Sequence, residues 1–205
     1  MSQAITLYTN PMSRGRIVRW MLEELGVSYE TKLLDYATSM KSAEYLAINP
    51  MGKVPALQHG TTIITETRAI CAYLAETFKD AGLAPQNDAE RGAYYRWLFF
   101  AAGPLELALS LRMLKFEVTA EHEKSLGCGN PQATLDVLAQ IVSSNRYICG
   151  ERFTAADVYV GSHLSFGTRF GIFEERPEFT AYLERVLNRP AKLKADEIDN
   201  LLMNK

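Results

Sequence analysis

Asn49-Pro50-Met51-Gly52-Lys53-Val54-Pro55-Ala56-Leu57 and, nine residues on, Glu66-Thr67-Arg68-Ala69-Ile70 are the residues of this chain best suited to chemistry on a small polar ligand. The first piece reads as a turn running into a strand with a proline at its start. Proline has no N–H to give to a ladder, so Pro55 is tolerated only where the missing donor faces a gap. A cis Val54-Pro55 bond would turn the Val54 N–H and C=O outward, ready to pair with a peptide ligand; cis is the minority state for such a bond, so the fold must have a use for it. The second piece sets an acid and a hydroxyl at the start of an apolar-periodic helix. The first N–H groups of such a helix attract a carboxylate, while Glu66 can hold an ammonium. Together the two pieces describe a receptor for a small zwitterionic peptide.

Two further blocks complete a set. Leu7-Tyr8-Thr9-Asn10-Pro11-Met12-Ser13-Arg14 is a strand running into the first helix. Gly150-Glu151-Arg152-Phe153-Thr154-Ala155-Ala156-Asp157 ends in a capping box, Thr154 and Asp157, ahead of Val158-Tyr159-Val160, and is read as structural. In this order and at these spacings the blocks resemble the cytosolic glutathione transferase superfamily, in its bacterial, serine-type form, over nearly the whole chain. The resemblance implies an α/β thioredoxin-like N-terminal domain followed by an all-α C-terminal domain. It also implies glutathione as co-substrate, no metal, and assembly as a homodimer.

Glutathione chemistry requires a thiol ionised near neutral pH, whereas a free thiol has a pKa of about 8.5. A hydrogen-bond donor and a helix N-terminus both favour the thiolate. Ser13 stands where the first strand ends and the first helix begins, so it can supply both, and in serine-type members a serine in such a segment plays this part. The same serine can instead be only a helix N-cap. Asn10, through its amide, and Tyr8, through its hydroxyl, are the alternatives. Alternation from Ile5 and Leu7 puts Tyr8 on the opposite face of the strand, which suits a packed aromatic. Residues 10–16 hold no cysteine, so disulfide exchange through an enzyme thiol is disfavoured.

For the peptide, the resemblance assigns Val54, ahead of Pro55, to the cysteinyl backbone, Glu66 to the γ-glutamyl ammonium, and Thr67 to its carboxylate. Lys41 and Lys53 are the candidates for the glycyl carboxylate. Thr67 stands where serine is commoner, with the hydroxyl kept. The second substrate would meet Met12, Tyr95, Phe99 and Met113, with Arg112 available to an acidic one; an aromatic stripe on a helix is equally a core feature.

The elements that must position these residues follow from periodicity. Residues 4–8 and 29–34 read as strands, 14–25 as a helix with Ile17, Trp20, Met21 and Leu25 on one face and Gly26 at its end. A short helix over 41–47, a hairpin of 54–58 and 63–64 around His59-Gly60-Thr61-Thr62, and a helix over 67–78 complete the order βαβ-α-ββα. The expected division is a thioredoxin-like domain over 1–79, a linker over 80–87 with Gly82 and Pro85, and a helical domain over 88–205. Its expected helices span 89 to about 115, 132–144, 155–170, 178–187 and 196–203.

A chain of 205 residues with net charge −2 and no basic block gives no support for nucleic acid or an anionic membrane as partner. The longest apolar run, Trp97 to Leu109, is interrupted by Pro104 and Glu106. The chain enters a strand pattern at once, without a signal-peptide layout, and Cys71, Cys128 and Cys149 are an odd, scattered set. Reduced thiols in a cytoplasmic protein are the expectation. His59, His122 and His163 have no metal-ligand spacing. The activity expected is conjugation of the glutathione thiolate to a small, apolar electrophile, as in detoxification. Isomerase or peroxidase chemistry at the same site, and a non-catalytic binding or regulatory module, are the rivals.

Overall fold

Alternating apolar residues make Ile5–Thr9 an inner strand, β1, of a four-stranded sheet in the order β2-β1-β3-β4. The computed structural model describes residues 3–203. The other strands are β2 (Glu30–Leu33), β3 (Ala56–His59) and β4 (Thr62–Thr65). β2 runs parallel to β1, with Leu7 opposite Thr31; β3 runs antiparallel to β1, with Tyr8 opposite Ala56, and β4 antiparallel to β3, with Ala56 opposite Thr65. Helices α1 (Gly15–Leu25) and α3 (Thr67–Thr77) pack together beside the sheet, and a short α2 (Ala43–Leu46) precedes β3. Val18, Trp20, Met21, Leu22, Ile70, Cys71 and Leu74 of these helices are buried, as are Leu7 and Leu57 of the sheet. Burying each of the larger ones stabilises the fold by about 1.5–3 kcal/mol. This is the thioredoxin-like order expected from the sequence.

By their contacts the residues form two compact units, one running up to Ala81 and resuming at Asn188, the other Gly82–Leu187. The last helix, α9 (Pro190–Met203), which the sequence reading grouped with residues 88–205, lies along α1. It is held there by charge. Arg189 grips Glu24 at 2.7 Å, Lys194 meets Glu23 at 2.7 Å, Arg16 meets Asp196 at 3.0 Å and Arg19 meets Asp199 at 2.8 Å. Basic residues near the start of α9 therefore face acids at the end of α1, and acids further along α9 face arginines at its start. The first turns, residues 190–195, carry Lys192 and Lys194 and little apolar periodicity, so the reading marked only 196–203; Pro190, suited to a first helical position, is the true start.

The second unit is helical: α4 (Asp88–Phe100), α5 (Glu106–Met113), α6 (Pro131–Ser144), α7 (Ala155–Arg169) and α8 (Pro177–Leu187). The single long helix expected over 89–115 is divided by a π-helical segment, Ala101–Leu105, that contains Pro104. Proline cannot donate to the preceding turn, and widening that turn accommodates its ring. The helix expected over 41–47 is likewise split, because Ser42 is extended and caps α2 with its hydroxyl, accepting from Tyr45 N–H at 3.2 Å. α7 is the buried centre of this unit and starts with the expected capping box. Asp157 Oδ2 accepts from Thr154 N–H at 2.9 Å, while Oδ1 accepts from Ile148 N–H at 2.7 Å and the Tyr182 hydroxyl at 2.9 Å. Among the described residues no helix is long and apolar enough to cross a membrane.

Candidate active site

Strand direction gathers the chemistry-bearing residues at one end of the sheet. Tyr8, Ala56 and Thr65 lie side by side in β1, β3 and β4. One step beyond that row, β1 leaves into Asn10–Ser13, β3 is entered from Val54-Pro55, and β4 leaves into Glu66–Thr67. Beneath them sits a buried cluster of Tyr8, Met40, Tyr45 and Ala56, with Leu34, Ile48 and Val54 packed against it.

Ser13 closes a turn: its N–H donates to Asn10 C=O at 2.9 Å. Its hydroxyl donates to the same carbonyl at 2.7 Å and accepts from Gly15 N–H at 2.9 Å. It therefore serves the start of α1, where Arg14 offers no side-chain cap. The alternatives have partners of their own. Asn10 donates its amide to Leu34 C=O at 2.9 Å and accepts from Met12 N–H at 2.9 Å. The Tyr8 ring is buried and its hydroxyl donates to Gln58 at 2.9 Å. Of the three, Ser13 has the hydroxyl placed at the head of a helix. Close packing enforces that placement, since a Cβ on Gly15 would lie 1.8 Å from Thr9 Oγ1 and 3.0 Å from Ser13 Oγ. Gly15→Ala should therefore destabilise the protein by about 1–3 kcal/mol and displace the Ser13 turn. Thermal melting checks this: an unchanged melting temperature would mean that α1 and β1 are not held this closely.

The loop before β3 is built by Asn49, which opens the first motif, and by Tyr45, which the sequence reading did not single out. Asn49 Nδ2 and the Tyr45 hydroxyl both donate to Lys53 C=O, each at 2.7 Å. Burial pushes the Tyr45 phenol up to about 12, so it stays a donor at neutral pH. Gly52 has φ of +58° and its N–H returns to Asn49 C=O at 2.8 Å, a conformation that favours glycine. Lys41 donates its ammonium to Gly52 C=O at 2.9 Å and is part of this scaffold. Lys53 is exposed, and its ammonium makes no ion pair or hydrogen bond among the described residues. The Val54-Pro55 bond is cis. Val54 is half-buried, and among the described residues its N–H and C=O have no backbone partner.

Glu66, which precedes α3, holds φ at +70° and ψ at 117° although it is not glycine. Such a backbone costs on the order of 1–3 kcal/mol and persists where surrounding structure imposes it, commonly at binding sites. Its side chain is 61% exposed and lies 3.8 Å from Arg68. No side chain caps α3, so its first N–H groups, beginning at the buried Thr67, remain available to an anion.

The N-terminal domain of the glutathione S-transferase family matches residues 3–76, and its C-terminal domain matches residues 129–190. A glutathione S-transferase of Arabidopsis thaliana is 30% identical over 209 residues, covering 91% of this chain and 94% of its own length. The chain belongs to the glutathione transferase superfamily. The structure is similar to that of a glutathione transferase from Methylococcus capsulatus, with a TM-score of 0.79, 27% identity, and coverage of 97% of this chain and 100% of the other. It is also similar to a glutathione transferase of Phanerochaete chrysosporium solved in complex with oxidized glutathione, with a TM-score of 0.79, 26% identity and 98% of each chain covered.

The residues expected to meet this transferase's second substrate come from both units. Met12 is 73% exposed on the Ser13 turn. In the helical unit, Tyr95 and Phe99 are exposed one turn apart on α4. Arg112 and Met113 instead line a shallow groove of about 830 Å³ with Ile172 and with Phe116, Phe166 and Phe170, three aromatics the sequence reading missed. Arg112 is already employed there, donating to Gln132 at 2.6 Å and Ile172 C=O at 3.3 Å, and pairing with Glu174 at 3.4 Å. A second concavity of about 490 Å³ involves Leu25 and Glu76–Ala81, at the far ends of α1 and α3 from Ser13 and Glu66. Burial pushes the Cys71 and Cys149 thiols up to about 12, so neither is a thiolate near neutral pH.

Proposed function

We propose that this transferase binds glutathione at the β1/β3/β4 sheet end and conjugates its thiolate to a small, apolar electrophile. The observation that carries the reading is the convergence there of a serine hydroxyl at the head of α1, an unpaired Val54 backbone, and the uncapped start of α3 beside Glu66. These groups fit the peptide from end to end. Glu66 holds the γ-glutamyl ammonium, and the Thr67 hydroxyl and first N–H groups of α3 take its carboxylate. Val54 pairs with the cysteinyl backbone. Lys53 reaches the glycyl carboxylate, with Lys41 bracing the loop. The Ser13 hydroxyl turns from Asn10 C=O to the sulfur and, with the α1 N-terminus, stabilises the thiolate. The enzyme supplies position and charge stabilisation, and the thiolate is the nucleophile. Met12, Tyr95, Phe99 and Met113, with Arg112 for an acidic group, remain the proposed contacts of the electrophile. Homodimer assembly, a cytoplasmic location and a role in detoxification are part of the same proposal, supported by membership of the superfamily.

A conjugation assay over a panel of electrophiles, with glutathione titrated, tests the reading; no glutathione affinity would favour a non-catalytic module. Turnover of peroxides or isomerisable substrates without conjugation would favour the rival chemistry. Glu66→Ala should weaken glutathione binding by about 1–2 kcal/mol, roughly five- to thirtyfold in Kd, a modest value because the carboxylate is exposed. Calorimetric titration decides it, and an unchanged Kd would remove Glu66 from the binding set.

A further inference from the structure

Arg16 has no part in the assignments above, yet its guanidinium touches the turn that carries Ser13. Nη1 donates to Pro11 C=O at 3.4 Å. Nη2 donates to Asp196 Oδ1 at 3.0 Å and to Asn200 Oδ1 at 3.1 Å, both on α9. The second oxygen of Asp196 is held by Lys192, whose ammonium also lies over the Trp20 ring. The Asn10–Ser13 turn is thus tethered on one side to β2, through Asn10 and Leu34, and on the other to α9, through Arg16.

We infer that Arg16 and Asp196 are positioning residues for the thiol-activating turn: Asp196 fixes the guanidinium, and the guanidinium fixes Pro11 C=O two residues before Ser13. A long, part-exposed arginine restrains a carbonyl only if its own rotamers are restrained, which is the task of the carboxylate. The inference rests on Ser13 as the thiol's donor. It makes the C-terminal helix part of the chemistry, although none of its residues is placed against glutathione. Removing Asp196 should leave α9 docked, because Arg189–Glu24, Lys194–Glu23 and Arg19–Asp199 still hold it.

The test follows the thiolate absorbance of bound glutathione against pH, with kcat and glutathione Kd, in the full-length protein. Asp196→Ala should raise the bound thiol's pKa and lower kcat about three- to tenfold, with Kd nearly unchanged, since a small misplacement of a catalytic group costs rate rather than binding. Asp196→Glu should recover part of the loss. Arg16→Ala should do at least as much harm, and the double variant no more than Arg16→Ala, as for residues acting through one contact. Lys194→Ala, at the other end of the α1–α9 contact, should leave the thiol pKa unmoved. A wild-type pKa and kcat in Asp196→Ala would overturn the inference, as would an equal pKa shift in Lys194→Ala. Ser13→Ala in the same titration separates the two readings. If it moves the pKa and Asp196→Ala does not, only the positioning pair falls; if it does not, the Ser13 assignment falls and takes the pair with it.

Discussion

Asp157→Ala is expected to be the most destabilising of the substitutions considered, by about 3–5 kcal/mol. The carboxylate is buried, and its loss takes the acceptor from four buried donors: Ile148 N–H, Thr154 N–H, the Thr154 hydroxyl and the Tyr182 hydroxyl. Each stranded donor costs about 1–3 kcal/mol, partly offset because a buried charge is also removed. For a chain of this size the melting temperature should fall by roughly 10 °C. The folded fraction should keep its glutathione affinity, because the box lies at the head of α7 and not among the proposed peptide contacts. Wild-type stability with abolished catalysis would instead place Asp157 in the chemistry. A pH signature accompanies the effect. Burial pushes the carboxyl up to about 6, against hydrogen bonds that favour the carboxylate. An unfolded aspartate titrates near about 3.9, so the folded state holds the proton more tightly. This group's contribution to stability is therefore full below about pH 4 and is lost as pH rises through about 6. Asp157→Asn should lack that slope, and parallel stability curves for the two proteins over this range would contradict the assignment.

Residues governed by local rules were readable in the sequence. Pro55, Gly52 and Asn49 restrict their own backbone, so the loop before β3 announced itself. The Thr154–Asp157 box and the helix ending at Gly26 did so by capping chemistry. What escaped was decided across the chain. Asp196 meets Arg16 from 180 residues away, and no local pattern marks either as a partner of the Ser13 turn. The first turns of α9 carry Lys192 and Lys194 and little apolar periodicity, so they were missed. The aromatics of α4 read like those of α7, but only packing shows that Phe166 and Phe170, and not Tyr95 and Phe99, share a groove with Met113. The strained Glu66 backbone was likewise invisible, because glutamate gives no local sign of a positive φ.

Ser13→Ala should lower kcat about tenfold to a hundredfold, since one hydrogen bond to a charged group is worth roughly 1.5–3 kcal/mol. Two consequences must be kept apart, because the hydroxyl also accepts from Gly15 N–H. Loss of that cap should cost about 0.5–2 kcal/mol of stability and appear in the melting temperature. Loss of the donor should appear as a bound thiol pKa raised by about 1–2 units, and as a pH–rate profile displaced upward by the same amount. Glutathione Kd should change far less, because Val54, Glu66 and Thr67 bind the rest of the peptide. At a pH well above the raised pKa the variant should therefore recover much of its rate, which a merely destabilised protein would not do. Asn10→Ala and Tyr8→Phe are the controls. Asn10→Ala severs the Leu34 tie and should mainly lower stability, while Tyr8→Phe removes only the Gln58 hydrogen bond. If either of these shifts the thiol pKa while Ser13→Ala leaves it in place, the donor is not Ser13, and the head of α1 is only a capped helix.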